Sequence, residues 1–158
     1  MNMKTLLILV GKTTDKHFQA GISDYTERIS HYMPFELMTI PELKNTKSLS
    51  EDQQKTAEGE LILKQLQPSD TVVLLDEHGK ELRSMEFAKW LEQKRNTVRR
   101  LVFIIGGPYG FSADVYTRAN ELLSLSKMTF SHQMIRLIFT EQVYRACTII
   151  KGEPYHHE

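Results

Sequence analysis

The chain has 158 residues, 41% hydrophobic and 25% charged, which is enough for one domain, residues 1–158, with a core of its own. Its 20 basic and 20 acidic residues cancel to a net charge of zero, so no global positive field announces a nucleic-acid partner. The single cysteine, Cys147 in "YRACTII", excludes an internal disulfide and a Cys-rich zinc site and reads as a small buried hydrophobe.

The opening "MKTLLILVGK" has an apolar run too short for a signal peptide and no small-residue cleavage site. It reads as a buried first strand. No segment approaches the roughly 20 apolar residues of a membrane span, and the expected location is the cytoplasm. "DKHFQAGISDYTERISHYM" follows, with Phe18, Ile22, Tyr25 and Ile29 at helical spacing. "PFELMTIP" is a strand fenced by prolines, and "LKNTKSL" a polar loop. "SEDQQKTAEGELILKQLQ" starts as a helix should, on Ser50 and acidic residues.

"DTVVLLDE" is a nearly continuous apolar run, as in a parallel strand covered on both faces. "HGK" is expected to turn it, and "SMEFAKWLEQKRN" to form a helix capped by Ser84. "RRLVFIIGG" is another buried strand. "SADVYTRANELL" reads as a short helix, "LSLSKMTF" as strand then loop, and "HQMIRLIFTEQVYRACTIIKG" as a long last helix. In that helix Ile135, Phe139, Val143, Ala146 and Ile150 make one stripe, widened by Met134 and Ile138. Apolar surface over so much of the circumference points to burial on two sides and to a dimer. The alternation of strand and helix predicts an α/β fold, a mostly parallel sheet with helices on both faces.

Chemistry-bearing residues gather in the C-terminal half. In α/β sheets, ligands bind beyond the carboxyl ends of the strands, where "IIGGPYGFS" lies. Its spacing is neither a dinucleotide fingerprint nor a P-loop, so a ligand-approach loop and a plain tight turn are both open. In "LSLSKMTFSHQMIR", His132 stands at a helix start, as a solvent-facing side chain or as part of a site. Glu141 and Arg145 share a helix face at i,i+4. The final "KGEPYHHE" holds Tyr155, which can stack on a base, and His156 and His157, which titrate near neutrality. A non-catalytic nucleotide-binding module and a metal hydrolase built on His132, His156 and His157 are the competing function classes.

Taken together, and in this order, "LLILVGK", "IIGGPYG", "LSLSKMTFSHQMIR", "EQVYRA" and "GEPYH" resemble the RlmH family of SPOUT-class ribosomal RNA methyltransferases across essentially the whole chain. The resemblance implies a C-terminal trefoil knot and a homodimer. It implies S-adenosylmethionine as the methyl donor, no metal, and N3 of a pseudouridine in a 23S rRNA stem-loop of the assembled ribosome as the target. Matched by motif, the cofactor would touch Leu75, Gly106 and the loop Leu125, Ser126, Lys127, Met128, Thr129 and Phe130. The expected base is His156, with His132 second. Tyr155 would position the nucleobase, Arg136 and Arg145 would hold phosphate or polarise a uracil carbonyl, and His157 would grip phosphate. Relatives commonly carry Pro where Ser131 stands, and Arg or Lys where His157 stands. The second change makes a permanent cation a titratable one.

Overall fold

The computed structural model describes residues 3–157. The strands β1 (Lys4–Val10), β2 (Phe35–Ile40), β3 (Thr71–Glu81), β4 (Arg100–Ile105) and β5 (Glu121–Ser124) form a 5-stranded sheet in the order β2-β1-β4-β3-β5. Every strand pair is parallel. Parallel neighbours need crossovers, which α1 (Lys16–Ser30), α2 (Glu51–Lys64), α3 (Ser84–Thr97) and α4 (Ala113–Arg118) supply, and α5 (Met134–Lys151) ends the chain's regular structure.

The period-two alternation of a strand sends neighbouring side chains to opposite faces. Leu7, Leu9, Val73, Leu101, Phe103 and Ile105 pack on one face against Ile29 of α1, Leu91 of α3, and Phe139 and Val143 of α5. Leu6, Ile8, Val10, Val72, Leu74, Val102 and Ile104 pack on the other against Ile62 of α2 and Val115 of α4. The expected doubly covered α/β sheet is therefore observed, and it is parallel throughout. Each fully buried aliphatic or aromatic side chain contributes about 1.5–3 kcal/mol by leaving water.

Local chemistry sets the helix starts. The Asp15 carboxylate accepts from the backbone N–H of His17 at 2.8 Å. Ser50 and Gln53 form a reciprocal capping box. Ser112 Oγ accepts from the Val115 N–H, and Ser131 Oγ from the Met134 N–H at 3.0 Å.

Several boundaries differ from the sequence reading. "HGK" does not end β3. The strand bulges after Leu75 and resumes its pairing at Lys80 and Glu81, opposite Leu123 and Ser124. Gly79 permits this because a Cβ there would lie 2.6 Å from the Leu123 backbone nitrogen. The N-cap of α3 is Arg83, whose N–H is taken by the Glu86 carboxylate at 2.7 Å. Ser84 lies inside the first turn and donates instead to Gln142 Oε1 at 3.1 Å. Helix α4 stops at Arg118, and Glu121 and Leu122 belong to β5. Long-range contacts hold them there: Trp90 Nε1 of α3 donates to Glu121 Oε1 at 2.9 Å. The polar loop after β2 includes a single 3-10 turn, Thr46–Ser48. No helix among the described residues is long and apolar enough to cross a membrane.

Candidate active site

A cavity of about 590 Å³ opens at the carboxyl ends of β3, β4 and β5. One wall is the end of β3 and its bulge: Leu75, Asp76, Glu77 and His78. A second is the turn after β4, where Gly106 to Gly110 run from Ile105 and the Phe111 ring lies against Gly106. The third is the segment after β5, contributing Leu125, Ser126, Met128, Thr129 and Phe130, with Ser131 and His132 at its end. Lys55 of α2 brings a cation to the rim. Of the residues expected at a cofactor, Leu75, Gly106, Leu125, Ser126, Met128, Thr129 and Phe130 line this cavity together. Lys127 is exposed and lies outside the lining.

The segment 125–130 spends few hydrogen bonds on itself. Ser124 Oγ donates to the Ser126 carbonyl at 2.9 Å, and Ser126 Oγ accepts from the Met128 N–H at 2.9 Å. The loop's partly exposed backbone groups at the cavity are of the kind that can recognise a heterocycle by main-chain bonds. The Met128 side chain is 78% exposed beside the cavity. Asp76, Glu77 and Lys55 all line the cavity, a set compatible with a ligand bearing both a cationic centre and a carboxylate.

A brace joins two of the walls. The Tyr116 hydroxyl of α4 donates to Asp76 Oδ2, whose other oxygen accepts from the His78 N–H at 2.9 Å. The Tyr116 ring meets Phe111 edge-on, with centroids 5.8 Å apart. Burial and the adjoining Asp76 carboxylate push the Tyr116 phenol well above its ordinary range, so it stays a donor. Asp76 follows directly on the apolar run of β3 and was within reach of sequence reasoning. Tyr116 was not, since only the crossing of α4 over the β3 bulge brings it there.

His132 lines the cavity where α5 begins. Burial lowers its pKa from 6.5, the Arg136 cation lowers it further, and Glu42 opposes both. Both effects disfavour the charged form of the ring.

Arg136 departs from the expectation of a phosphate-gripping or carbonyl-polarising side chain. It is 0% exposed. Its Nη2 donates to the Val10 carbonyl at 2.7 Å, Nη1 to the Gly11 carbonyl and Thr13 Oγ1, each at 2.9 Å, and Nε to the His132 carbonyl at 3.0 Å. Gln133 adds bonds to Lys12 O and from Thr14 N. Arg136 thus fastens the start of α5 to the loop after β1, and no substrate reaches it.

The tail forms a second cluster. After Gly152 the chain folds back along α5, and the Tyr155 hydroxyl donates to Glu141 Oε2 at 3.0 Å. Arg145 Nη2 donates to the same oxygen at 3.0 Å, its guanidinium lies 4.9 Å from the Tyr155 ring centroid, and its Nη1 sits 3.0 Å from His156 Nδ1. Tyr144 meets Tyr155 edge-on at 4.7 Å. Burial raises the Tyr155 phenol pKa, with Tyr25 and Glu141 adding to it. His157 is exposed. The structure thus brings Tyr155, His156 and Arg145 together. The Glu141–Arg145 pair was legible as an i,i+4 spacing, but its grip on Tyr155 was not.

The two clusters do not meet within one chain. The stretch from Met134 to Arg145 covers roughly 17 Å of helix axis, and none of the described tail residues lines the cavity. His132 is accordingly remote from His156 and His157. Among the described residues no group of three or more His, Cys, Asp or Glu could hold a metal ion. Cys147 is buried, and burial pushes its thiol up to about 12, as an inert core residue requires.

A family described as "Predicted SPOUT methyltransferase" matches residues 3–156. The protein named ribosomal RNA large subunit methyltransferase H of Bacteroides fragilis is 66% identical over 157 residues, spanning 99% of this chain and 100% of its own. The protein of that name from Bacteroides thetaiotaomicron is 65% identical over the same spans. Its namesake in Christiangramia forsetii is 57% identical over 156 residues, 98% of this chain and 99% of its own. With matches this extensive over a site of this geometry, the chain belongs to the RlmH family of SPOUT methyltransferases.

Proposed function

We propose that this protein transfers a methyl group from S-adenosylmethionine to N3 of a pseudouridine in 23S rRNA, acting in the cytoplasm, as a homodimer, on the assembled ribosome. The observation that carries the reading is the cavity at the strand ends, walled by the β3 bulge, the glycine turn and the 125–131 segment, in a chain similar along its length to large-subunit rRNA methyltransferases. Leu75, Gly106 and the backbone of residues 125–130, Lys127 included, would hold the cofactor. Bound there, it would supply a methyl on an electrophilic sulfonium, so that the N3–C bond forms as the S–C bond breaks.

The protein's task is then positioning and charge. Tyr155 stacks on the target base, Arg145 faces the tail's ligand side, and His157 holds phosphate. His156, with His132 second, is the candidate to take the N3 proton. The separation of tail and cavity along α5 supports the dimer: a second copy's tail completes the site. The family match over residues 3–156 supports a trefoil knot in the C-terminal part. A net charge of zero offers little non-specific phosphate affinity, which favours the shaped surface of the ribosome over naked RNA.

The test is transfer of labelled methyl to ribosomes from cells lacking this protein, followed by mapping of the modified nucleotide. Label at N3 of one 23S pseudouridine is expected, with naked rRNA a poor substrate. A chain lacking residues 155–158 should bind the cofactor and transfer nothing. Label on another RNA or position, or full activity of the shortened chain, would sink the reading.

A further inference from the structure

We infer that the Lys55 ammonium binds the carboxylate at the amino-acid end of the cofactor, and that the cavity thereby selects ligands carrying that group. Among the described residues that line the cavity, Lys55 is the one permanent cation. The acids of the lining, Asp76 and Glu77, belong to β3 and suit a cationic centre, whereas Lys55 belongs to α2. The other basic side chains of the lining are His78 and His132. His78 Nε2 lies 3.5 Å from Glu77 Oε1, and burial disfavours the charged form of His132.

The fold carries Lys55 to this place. Glu58 of α2 is buried and packs beside the glycine turn, where a Cβ on Gly107 would lie 3.3 Å from its Oε1. Residues three apart share a helix face, so the contact that seats Glu58 against the turn also brings Lys55 to the cavity. The partner Lys55 has within the chain is a weak competitor. Its Nζ lies 3.4 Å from Asp52 Oδ1, but the Asp52 side chain is 92% exposed, against 29% for Lys55. An ion pair with so exposed a member contributes little, and an ammonium has three donors. A ligand carboxylate held in the cavity can therefore displace or join Asp52. This inference rests on the methyltransferase reading for the identity of the ligand.

The test is calorimetric titration of the full-length protein with S-adenosylhomocysteine and with its carboxamide, which keeps the nucleoside and the ammonium but not the negative charge. Wild type should bind the acid about tenfold more tightly than the amide. Lys55→Met keeps the aliphatic stem and should lose about tenfold for the acid with the amide unchanged, so that the two ligands bind alike. Lys55→Arg should restore the preference. Equal losses for both ligands in Lys55→Met would mean that Lys55 only shapes the cavity, and no loss for either would mean that its charge faces elsewhere; each overturns the inference. Unchanged affinity for S-adenosylhomocysteine with a raised KM for ribosomes would assign the ammonium to an RNA phosphate instead. If wild type binds neither ligand, the cofactor reading falls and takes this inference with it. If binding follows the expected pattern and ribosomes remain unmethylated, the function has failed and the assignment of Lys55 has not.

Discussion

Arg136 Nη2 meets the Val10 carbonyl at 2.7 Å, so a residue of α5 closes the carboxyl end of β1. The guanidinium is fully buried and replaces water for the carbonyls of Val10, Gly11 and His132. Removing it leaves those acceptors unsatisfied. Arg136→Met should lower unfolding free energy by about 3 kcal/mol, read by urea denaturation, and Arg136→Lys should recover only part of that because a point charge cannot reproduce the fork.

The Tyr116–Asp76 bond ties the wall made by α4 to the β3 bulge. Tyr116→Phe removes the bond and keeps the ring against Phe111. Calorimetric titration should show cofactor affinity falling about fivefold with little change in melting temperature. Asp76→Asn retains an acceptor for the phenol and should lose less.

His132 gives stability a pH dependence of definite sign. Its folded pKa lies below 6.5 because of burial and then Arg136, with Glu42 opposing. The unfolded chain therefore binds the proton more readily. The contribution is fully present above pH 6.5 and is lost as pH falls through the folded value. Urea unfolding across that window should show the slope, and His132→Gln should flatten it.

The proposed composite site allows a complementation test. A chain lacking residues 155–158 keeps its cavity, and Thr129→Trp fills the cavity while keeping the tail. Each alone should be inactive. Co-refolded in equal amounts, half the dimers are mixed and each has one intact site, so about a quarter of wild-type activity should return. No recovery would mean that each chain uses its own tail.

Cys147 lies in the core with its thiol pushed up to about 12 by burial. Thiol reagents should leave the native protein unlabelled at neutral pH and modify it stoichiometrically in denaturant, as mass spectrometry would report.

Patterns with a short physical range were legible in the residues. Period-two and near-continuous apolar runs determined β1, β3 and β4, because strand burial depends only on which side chains alternate. The cap Ser50 determined the start of α2, since the bond it makes is local. The motif-bearing stretches determined where a cavity would form, because turns after parallel strands collect at one edge of the sheet. What only the tertiary structure decided depends on partners distant in the chain. Arg136 looked like a surface cation on a helix, yet the loop after β1 folds over it and makes it a core residue. "HGK" looked like a turn, yet pairing with β5 carries the strand through it. Tyr155 and His156 looked like free tail groups, yet Glu141 and Arg145 hold them, and the length of α5 keeps them away from their own chain's cavity. Sequence alone identifies side chains able to donate, accept or carry charge. The fold decides which of those capacities are already spent within the chain and which remain for a substrate.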